Sequence, residues 1–448
     1  MVFATDCEKQ VKDLRVLLVG DDMRSFLACA RALGRRGVEV HAAPFNWSAP
    51  ALKSKYVREV HRLPRLGRSA NVWVNAVREL QADHCFDLVV PCDERALIPL
   101  CAVPEEMRNF KVAEPGAKAL KYLFDKAKTR ELAQKLDIPI ASGELVDRHS
   151  NAELLVAQLG LPMMFKARES YSAEDLEDRG EVFAVHSVEQ LDDELRALLE
   201  DDVFLVEGFF PKEGGADGIG VSVAARNGEI LAAFQHRRLI EKPGGGSSSV
   251  RISEDLDMDM LDAVEKMCAA TELNGVAMFE FRQSVETKEW ILLEVNARPW
   301  GSMPLPLALG VDFPTMFLDV QLGLNAEYDG EYKSSVVGKN LVLTLLHKFQ
   351  GRSKGAIPLV FSCLGETVAH VLNCARGREV SDSFVWDDLR PGIHEFSALL
   401  RRGIDRVVWN KQGQPERRAG DINAPTQNKT HSAQADSERA KEKHDIAS

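Results

Sequence analysis

Residues 291–302 read ILLEVNARPWGS. Three apolar residues lead directly into Glu294, Asn296 and Arg298, spaced two apart. A β-strand sends alternate side chains to one face. This strand therefore aims an acid, an amide and a guanidinium at one point. The apolar stretch before it, GVAMFEFR (275–282), carries a single acid, Glu280. Only the short polar QSVETKE separates the two stretches, which is the pattern of a hairpin. Pairing places Glu280 beside Glu294 and Asn296. Two carboxylates repel unless a cation or a proton intervenes. Two carboxylates with an amide oxygen form a hard-oxygen set suited to Mg²⁺ bound together with phosphates. The plainer reading of one acid in an apolar strand is an edge or surface residue; two adjacent strands sharing the feature weigh against it.

The chain has 448 residues, room for two to four domains. Its net charge of −12 and the lack of a basic stripe argue against a nucleic-acid partner. The opening MVFATDCEKQVKDLR lacks the apolar centre of a secretory signal, and no segment approaches the ~20 apolar residues of a membrane helix. A cytoplasmic protein without membrane contact is expected. Eight cysteines, at 7, 29, 85, 92, 101, 268, 363 and 374, form no CxxC pair and read as reduced, mostly buried residues. With neither HExxH nor a Cys/His motif, a structural zinc site is not expected.

LRVLLVG (14–20), VEVHAAPF and FDLVVPCDE (86–94) read as strands, with a helical MRSFLACARALGRRG after the first. This order predicts a doubly wound parallel sheet. Only Gly20 stands where a dinucleotide site needs GxGxxG, which disfavours NAD. The polar strand ends GDD and CDE read either as the lining of a ligand crevice or as ordinary loops. From 116 onward GAKALKYLFDKAKTRELAQKLDIP is helical and stops at Pro139. SNAELLVAQLG (150–160) opens with Ser150 and Glu153 in capping-box spacing, as SVEQLDDELRALLE does with Ser187 and Gln190. Between them lie the strands LPMMFKAR and EVFAV, and VFLVEGFF follows, giving a small α+β unit over 161–210. GIGVSVAARNGEILAAFQHRRLI predicts a hairpin turning at Asn227-Gly228. EGGADGIG (213–220) reads as a turn into it. DMLDAVEKMCAATEL is a helix. Residues 326–410 are mixed. Residues 411–448 contain no aromatic, Leu or Val and predict a disordered tail.

FEF…LLEVNAR resembles the metal-binding signature of the ATP-grasp superfamily, which includes biotin carboxylase and D-alanine–D-alanine ligase. PWGSMPLPLALGVDFP is similar to the WGS…G-x-D-F-P segment of carboxylate–amine ligase-like members. The resemblance covers about residues 14–325. It implies an ATP-grasp architecture of mixed α/β and α+β class. The parts would be a Rossmann-like domain (1–115), an ATP-grasp domain (116–325) with its lid near 161–210 and a metal-binding subdomain after it, and an extension (326–410) before the tail. It also implies roles. Glu280 and Glu294 would bridge two Mg²⁺ ions, with Mn²⁺ as a substitute, Asn296 would ligate one, and Arg298 would stabilise charge at the reacting centre. Lys126, in FDKAKTRELAQKLDIP, and Lys166, in LPMMFKAR, would reach the ATP phosphates. Glu207 and Phe210 would meet adenine through their backbone. Arg237 and Arg238, ahead of the KPGGGSSS loop, would bind anions.

Read without the resemblance, Lys126 is a solvated helix lysine and GGGSSS a flexible surface loop. Lys166 is the more unusual of the lysines, standing in an apolar strand. His236 reads as structural and Trp300 as packing. The segment after Lys166, ESYSAEDLEDRGEV, is acidic and nearly free of glycine where many members have a glycine-rich loop; Ser170 or Ser172 would have to cover the phosphates instead. Asp217 is a weak candidate for the ribose. The implied activity is an ATP-dependent ligase that activates a small-molecule carboxylate as an acyl phosphate for attack by an amine. A regulatory ATP-binding protein and a small-molecule kinase are the alternatives, and association into a homo-oligomer stays open.

Overall fold

Three sheets carry the architecture of this computed structural model, which describes residues 13–65, 70–171, 176, 179–200, 202–211, 214–241, 248–325, 330–350 and 356–410. The first sheet is parallel, in the order β3-β2-β1-β4: β1 (Arg15–Val19), β2 (Glu39–Ala43), β3 (Val57–Val60) and β4 (Leu88–Pro91). Both of its faces are covered, so β1 and β4 are continuous apolar runs, as a buried parallel sheet requires. The loops after β1 and β4 cap the next helices. Asp22 accepts from the backbone N–H groups of Arg24, Ser25 and Phe26, and Asp93 from that of Arg95.

The second sheet is antiparallel, in the order β5-β8-β6-β7: β5 (Gly143–Val146), β6 (Met163–Ala167), β7 (Val182–Val185) and β8 (Phe204–Gly208). Helices Ala152–Leu159 and Val188–Ala197 bury Leu155, Leu159, Leu191 and Leu195 against it. The first of these is capped by Asn151, whose side chain accepts from the Leu154 N–H, and not by Ser150. The Ser150 hydroxyl is drawn into a turn with Asp147. Ser187 caps the second helix as its spacing predicts.

The third sheet has seven strands in the order β13-β12-β9-β10-β11-β14-β15. They are β9 (Ala216–Arg226), β10 (Glu229–Glu241), β11 (Ser248–Glu254), β12 (Gly275–Ser284), β13 (Trp290–Asn296), β14 (Val337–Lys339) and β15 (Glu379–Ser381). β9 and β10 turn at Asn227 and Gly228, both at positive φ (51° and 88°), the two-residue turn that suits strand twist. EGGADGIG is only partly a turn, because Gly218 and Gly220 stand inside β9.

Residues 326–410 supply the last two strands of this sheet, and their acids tie them to the rest. Asp382 grips Arg251 of β11 with both oxygens (2.6 and 2.9 Å), and both side chains are fully buried. Asp388 holds Arg31 at 3.0 Å, also buried. The predicted tail at 411–448 lies outside the described residues. Residues up to Leu399 form one compact unit; a second begins at Leu400 and is helical to Asn410.

Removing one partner of a buried ion pair strands the other charge, so Asp382→Ala should cost about 3–5 kcal/mol in urea unfolding. Glu395, half-buried near Asp382, has its carboxyl pushed up to about 7, chiefly by loss of solvent. A carboxyl raised in the folded state favours folding below its unfolded value and loses that contribution as pH rises through 7. Glu395→Gln should therefore match the wild type near pH 4.5 and exceed its stability at pH 8, by on the order of 1–3 kcal/mol.

Candidate active site

The hairpin predicted from alternation forms, and its register sets the site. Glu280 of β12 lies directly opposite Glu294 of β13, and Met278 opposite Asn296. A register shift just past Glu280 marks an irregularity at the point where the acids meet. Pairing continues across the sheet in rows that share one face. One row runs Glu294, Glu280, Gly220, His236; beside it Arg282 pairs with Gly218 and Arg238 with Arg251, and Gly218 lies against Arg238. The acids thus lie one glycine away from a histidine and arginines. Gly218 and Gly220 make the room. A Cβ on Gly220 would overlap the His236 ring, and one on Gly218 would come within 2.9 Å of Arg238 Cδ.

Glu280 is buried and bound by Arg238 at 2.5 Å. Its carboxyl is pushed up to about 7 by burial, against the pull of Arg238 and with the Glu294 charge adding to the rise. Burial acts on Glu294 in the same sense, but Lys126 and Lys166 outweigh it and hold Glu294 below the ordinary carboxylate value. Asn296 donates its amide N–H to both acids at 3.3 Å, while its oxygen accepts from Arg298 at 3.2 Å. Ligation by the oxygen therefore needs the amide to turn over, which swaps donor and acceptor. Two oxygen-bearing acids in register, balanced by surrounding cations, fit a divalent metal with phosphate.

Lys126 opens the helix Lys126–Lys135, just after its cap Asp125, whose carboxylate is paired with Arg168. Burial lowers the Lys126 ammonium against the opposing pull of Glu294 and Glu94. Two adjoining clefts of about 380 and 280 Å³ meet at Lys126, Thr129 and Leu293. The larger is lined by Glu94, Ser170, Glu294 and Asn296, and the smaller by Arg130, Lys166 and Glu207. The structure therefore brings Lys126, Lys166, Glu207, Glu280, Glu294, Asn296 and Arg298 into one neighbourhood, with Arg238 on the far side of Glu280.

Three candidates fall elsewhere. Arg237 points to the opposite face from Arg238, as strand alternation requires, and is held by Asp217 and by Glu254 at 2.6 Å. That pairing also occupies Asp217, the ribose candidate. Phe210 lies past the end of β8, half-buried, and lines neither cleft. Glu207 reaches the cleft by its side chain, which binds Lys166 and, at 2.7 Å, Arg130. Ser172 and residues 244–247 of the GGGSSS run lie outside the described residues.

The CDE strand end, one of whose two sequence readings is a crevice lining, supplies one further member, and sequence reasoning missed others. Glu94, from the CDE end of β4, holds Arg298 at 2.8 and 3.1 Å, so the first sheet reaches the turn after β13. Arg130 was hidden in an ordinary amphipathic helix. Beyond Glu280 lies a buried polar group. His236 Nδ1 and Nε2, Ser222 Oγ, Ser249 Oγ, Arg251 Nε and Trp300 Nε1 lack hydrogen-bond partners among the described residues. Arg24 reaches this side from the first sheet's crevice, with a long contact of 3.4 Å to the Ser248 carbonyl. Buried polar atoms ordinarily find partners, in protein or in ordered water.

Residues 216–343 match the family described as "ATP-grasp in the biosynthetic pathway with Ter operon". No curated protein matches the sequence. Among solved structures, the fold is similar to L-amino acid ligase from Bacillus licheniformis, at 19% identity and TM-score 0.55 over 72% of this chain and 78% of that one. It is similar to biotin carboxylase from Campylobacter jejuni at 15% and 0.55 over 73% and 75%. N5-carboxyaminoimidazole synthetase from Staphylococcus aureus, in complex with ADP, aligns at 14% and 0.57 over 75% and 85%. The fold is that of the ATP-grasp superfamily. The stretch matched by the ATP-grasp family model contains the acid–acid–amide–arginine signature.

Gly220→Ala should cost about 1–3 kcal/mol in urea unfolding, because the new methyl must displace the His236 ring. Adding His236→Ala should return part of that loss, a non-additivity expected only if the two positions touch.

Proposed function

We propose that this protein is an ATP-dependent ligase that phosphorylates a substrate carboxylate and couples the acyl phosphate to an amine. The observation that carries the reading is the convergence of Glu280, Glu294, Asn296 and Arg298 with Lys126 and Lys166 at one cleft between the sheets. Lys126 and Lys166 would bind the phosphates of ATP as point charges. The smaller cleft, with Glu207 and Arg130, would take the nucleoside. Glu280, Glu294 and, after its amide turns, Asn296 would hold Mg²⁺. Bound there, Mg²⁺ supplies positive charge to the phosphate oxygens.

The chain's own side chains would do the rest by placement and charge, as phosphoryl transfer generally requires. The γ-phosphate passes from ATP to a carboxylate oxygen, giving ADP and an acyl phosphate. The amine attacks the acyl carbon, and the C–O bond to phosphate breaks as inorganic phosphate leaves. Arg298 would stabilise the oxyanion that forms during this attack. The buried polar group around His236, Ser222, Ser249 and Arg251, with Arg24 at its rim, would hold the acceptor side of the reaction. That part of the site faces the metal strands from the direction opposite the lysines. An amine acceptor and a carboxylate donor agree with the name of the L-amino acid ligase whose fold this chain shares.

The reading predicts phosphate release from Mg²⁺-ATP only in the presence of a carboxylate and amine pair, measured with pooled acids and amines. A stable phosphorylated product without condensation would mark a kinase instead. Glu294→Ala should lower turnover about 100-fold or more with the circular dichroism spectrum unchanged. Full activity in that variant would overturn the assignment.

A further inference from the structure

A second cluster of ligating side chains stands in the first sheet, away from the ligase cleft. His41 sits on β2, and Glu59 is its register partner on β3. His61 follows β3, held by its backbone N–H on the Ala42 carbonyl at 2.7 Å. His84 ends the helix Ala70–His84. One donor atom from each of the four lies within 4.8 Å of all the others. His41 Nδ1 and His61 Nε2 are 2.7 Å apart, and His41 Nδ1 is 4.0 Å from Glu59 Oε2. The His41 and His61 rings stack, and His84 closes on His61 with centroids 4.4 Å apart. His41 and His61 are buried, while Glu59 opens to solvent.

We propose that His41, His61, His84 and Glu59 form a binding site for a divalent transition metal of the Zn²⁺ type that ties β2, β3 and the end of helix Ala70–His84 together. The surroundings are built for that role. His41 directs its Nε2 to Glu39 at 3.0 Å, so Glu39 sets the tautomer that leaves the Nδ1 lone pair facing the cluster. A carboxylate behind a ligating histidine is the usual support for such a ligand. Arg15 braces the arrangement, binding Glu39 at 2.6 Å and the His84 carbonyl at 2.5 Å. Phe86 packs against the His41 and His84 rings and walls one side with hydrocarbon. Burial, with His84 and His41 adding, holds His61 below the ordinary histidine value and so in the neutral form that binds metal.

Three imidazoles and a carboxylate suit zinc, cobalt, nickel or copper, not magnesium or calcium. Bonds of ~2.0–2.1 Å separate tetrahedral ligand atoms by about 3.3 Å, so metal entry needs His41 and His61 to part by roughly 0.6 Å. Arg15 and Glu39, which brace the cluster, open β1 and β2, and His84 precedes β4, whereas Asp22 and Glu94 follow the carboxyl ends of β1 and β4. Metal here would act on the stability of the first sheet and not on the transferred phosphate.

The test uses full-length protein without a polyhistidine tag, stripped with chelator and titrated with ZnCl₂ by calorimetry and with Co²⁺ by visible absorption. One equivalent should bind, tetrahedral cobalt bands should appear, and the melting temperature should rise with Zn²⁺ but not with Mg²⁺. His61→Gln/His84→Gln should weaken Zn²⁺ about 100-fold or more while metal-free folding stays as in the wild type. Glu59→Gln, at an exposed position, gives a variant that folds if the double change does not, and it should weaken binding at least tenfold. A wild-type Kd above about 10 µM, or tight binding that survives in both variants, would overturn the proposal.

Discussion

Two carboxylates forced into direct register inside a sheet are the constraint around which this molecule is arranged. Glu280 and Glu294 face each other across β12 and β13, the first buried and the second half-buried at the cleft. Repulsion at that distance would expel one of them unless positive charge surrounds the pair. The fold brings that charge from every side. Lys126 comes from a helix N-terminus, Lys166 from the second sheet, Arg238 from a neighbouring strand and Arg298 from the turn after β13. Each of these elements is positioned by its own apolar core, so the electrostatic balance depends on the packing of all three sheets. The two glycines of β9 are part of the same solution, because they let bulky cations approach acids that are two strands away.

The site also explains why the acids differ. Glu294 faces two lysines and stays easily ionised, whereas Glu280 faces one arginine and its acidic neighbour and holds its proton up to neutral pH. Burial and the placement of neighbouring charges together separate two chemically identical groups.

Much of this was readable from residue order. The acids of β12 and β13 stood out because alternation puts charge where an apolar strand has no other reason for it, and Asn227-Gly228 specified its hairpin by backbone preference. Lys166 was visible for the same reason as the acids. The choice between Arg237 and Arg238 was not legible, since it depends on the register of β10 against β9 and β11. That Phe210 and Asp217 line neither cleft was not legible, because a loop past a strand end, and a partner supplied by a cross-strand arginine, follow from tertiary packing and not from local pattern. Strands β14 and β15 are three residues each, too short for periodicity to register, and become strands only when β14 docks on β11 and β15 on β14. The capping of helix Ala152–Leu159 by Asn151 turned on which of two adjacent polar residues the chain direction favoured. His41, His61 and His84 are spread over forty-odd positions, and only the parallel β2–β3 pairing and the return of helix Ala70–His84 beside β1 join them.

The contact between Arg298 and Glu94 has a consequence for how the cleft meets its ligands. The guanidinium next to the acids is already neutralised by a carboxylate belonging to the first sheet. An arriving anion must outbid that internal counterion, and weak or badly placed anions lose the contest. Glu94 thus acts as a resident competitor that sets a threshold for admission, and because it is carried on a different layer of the fold, a small shift of that layer raises or lowers the threshold.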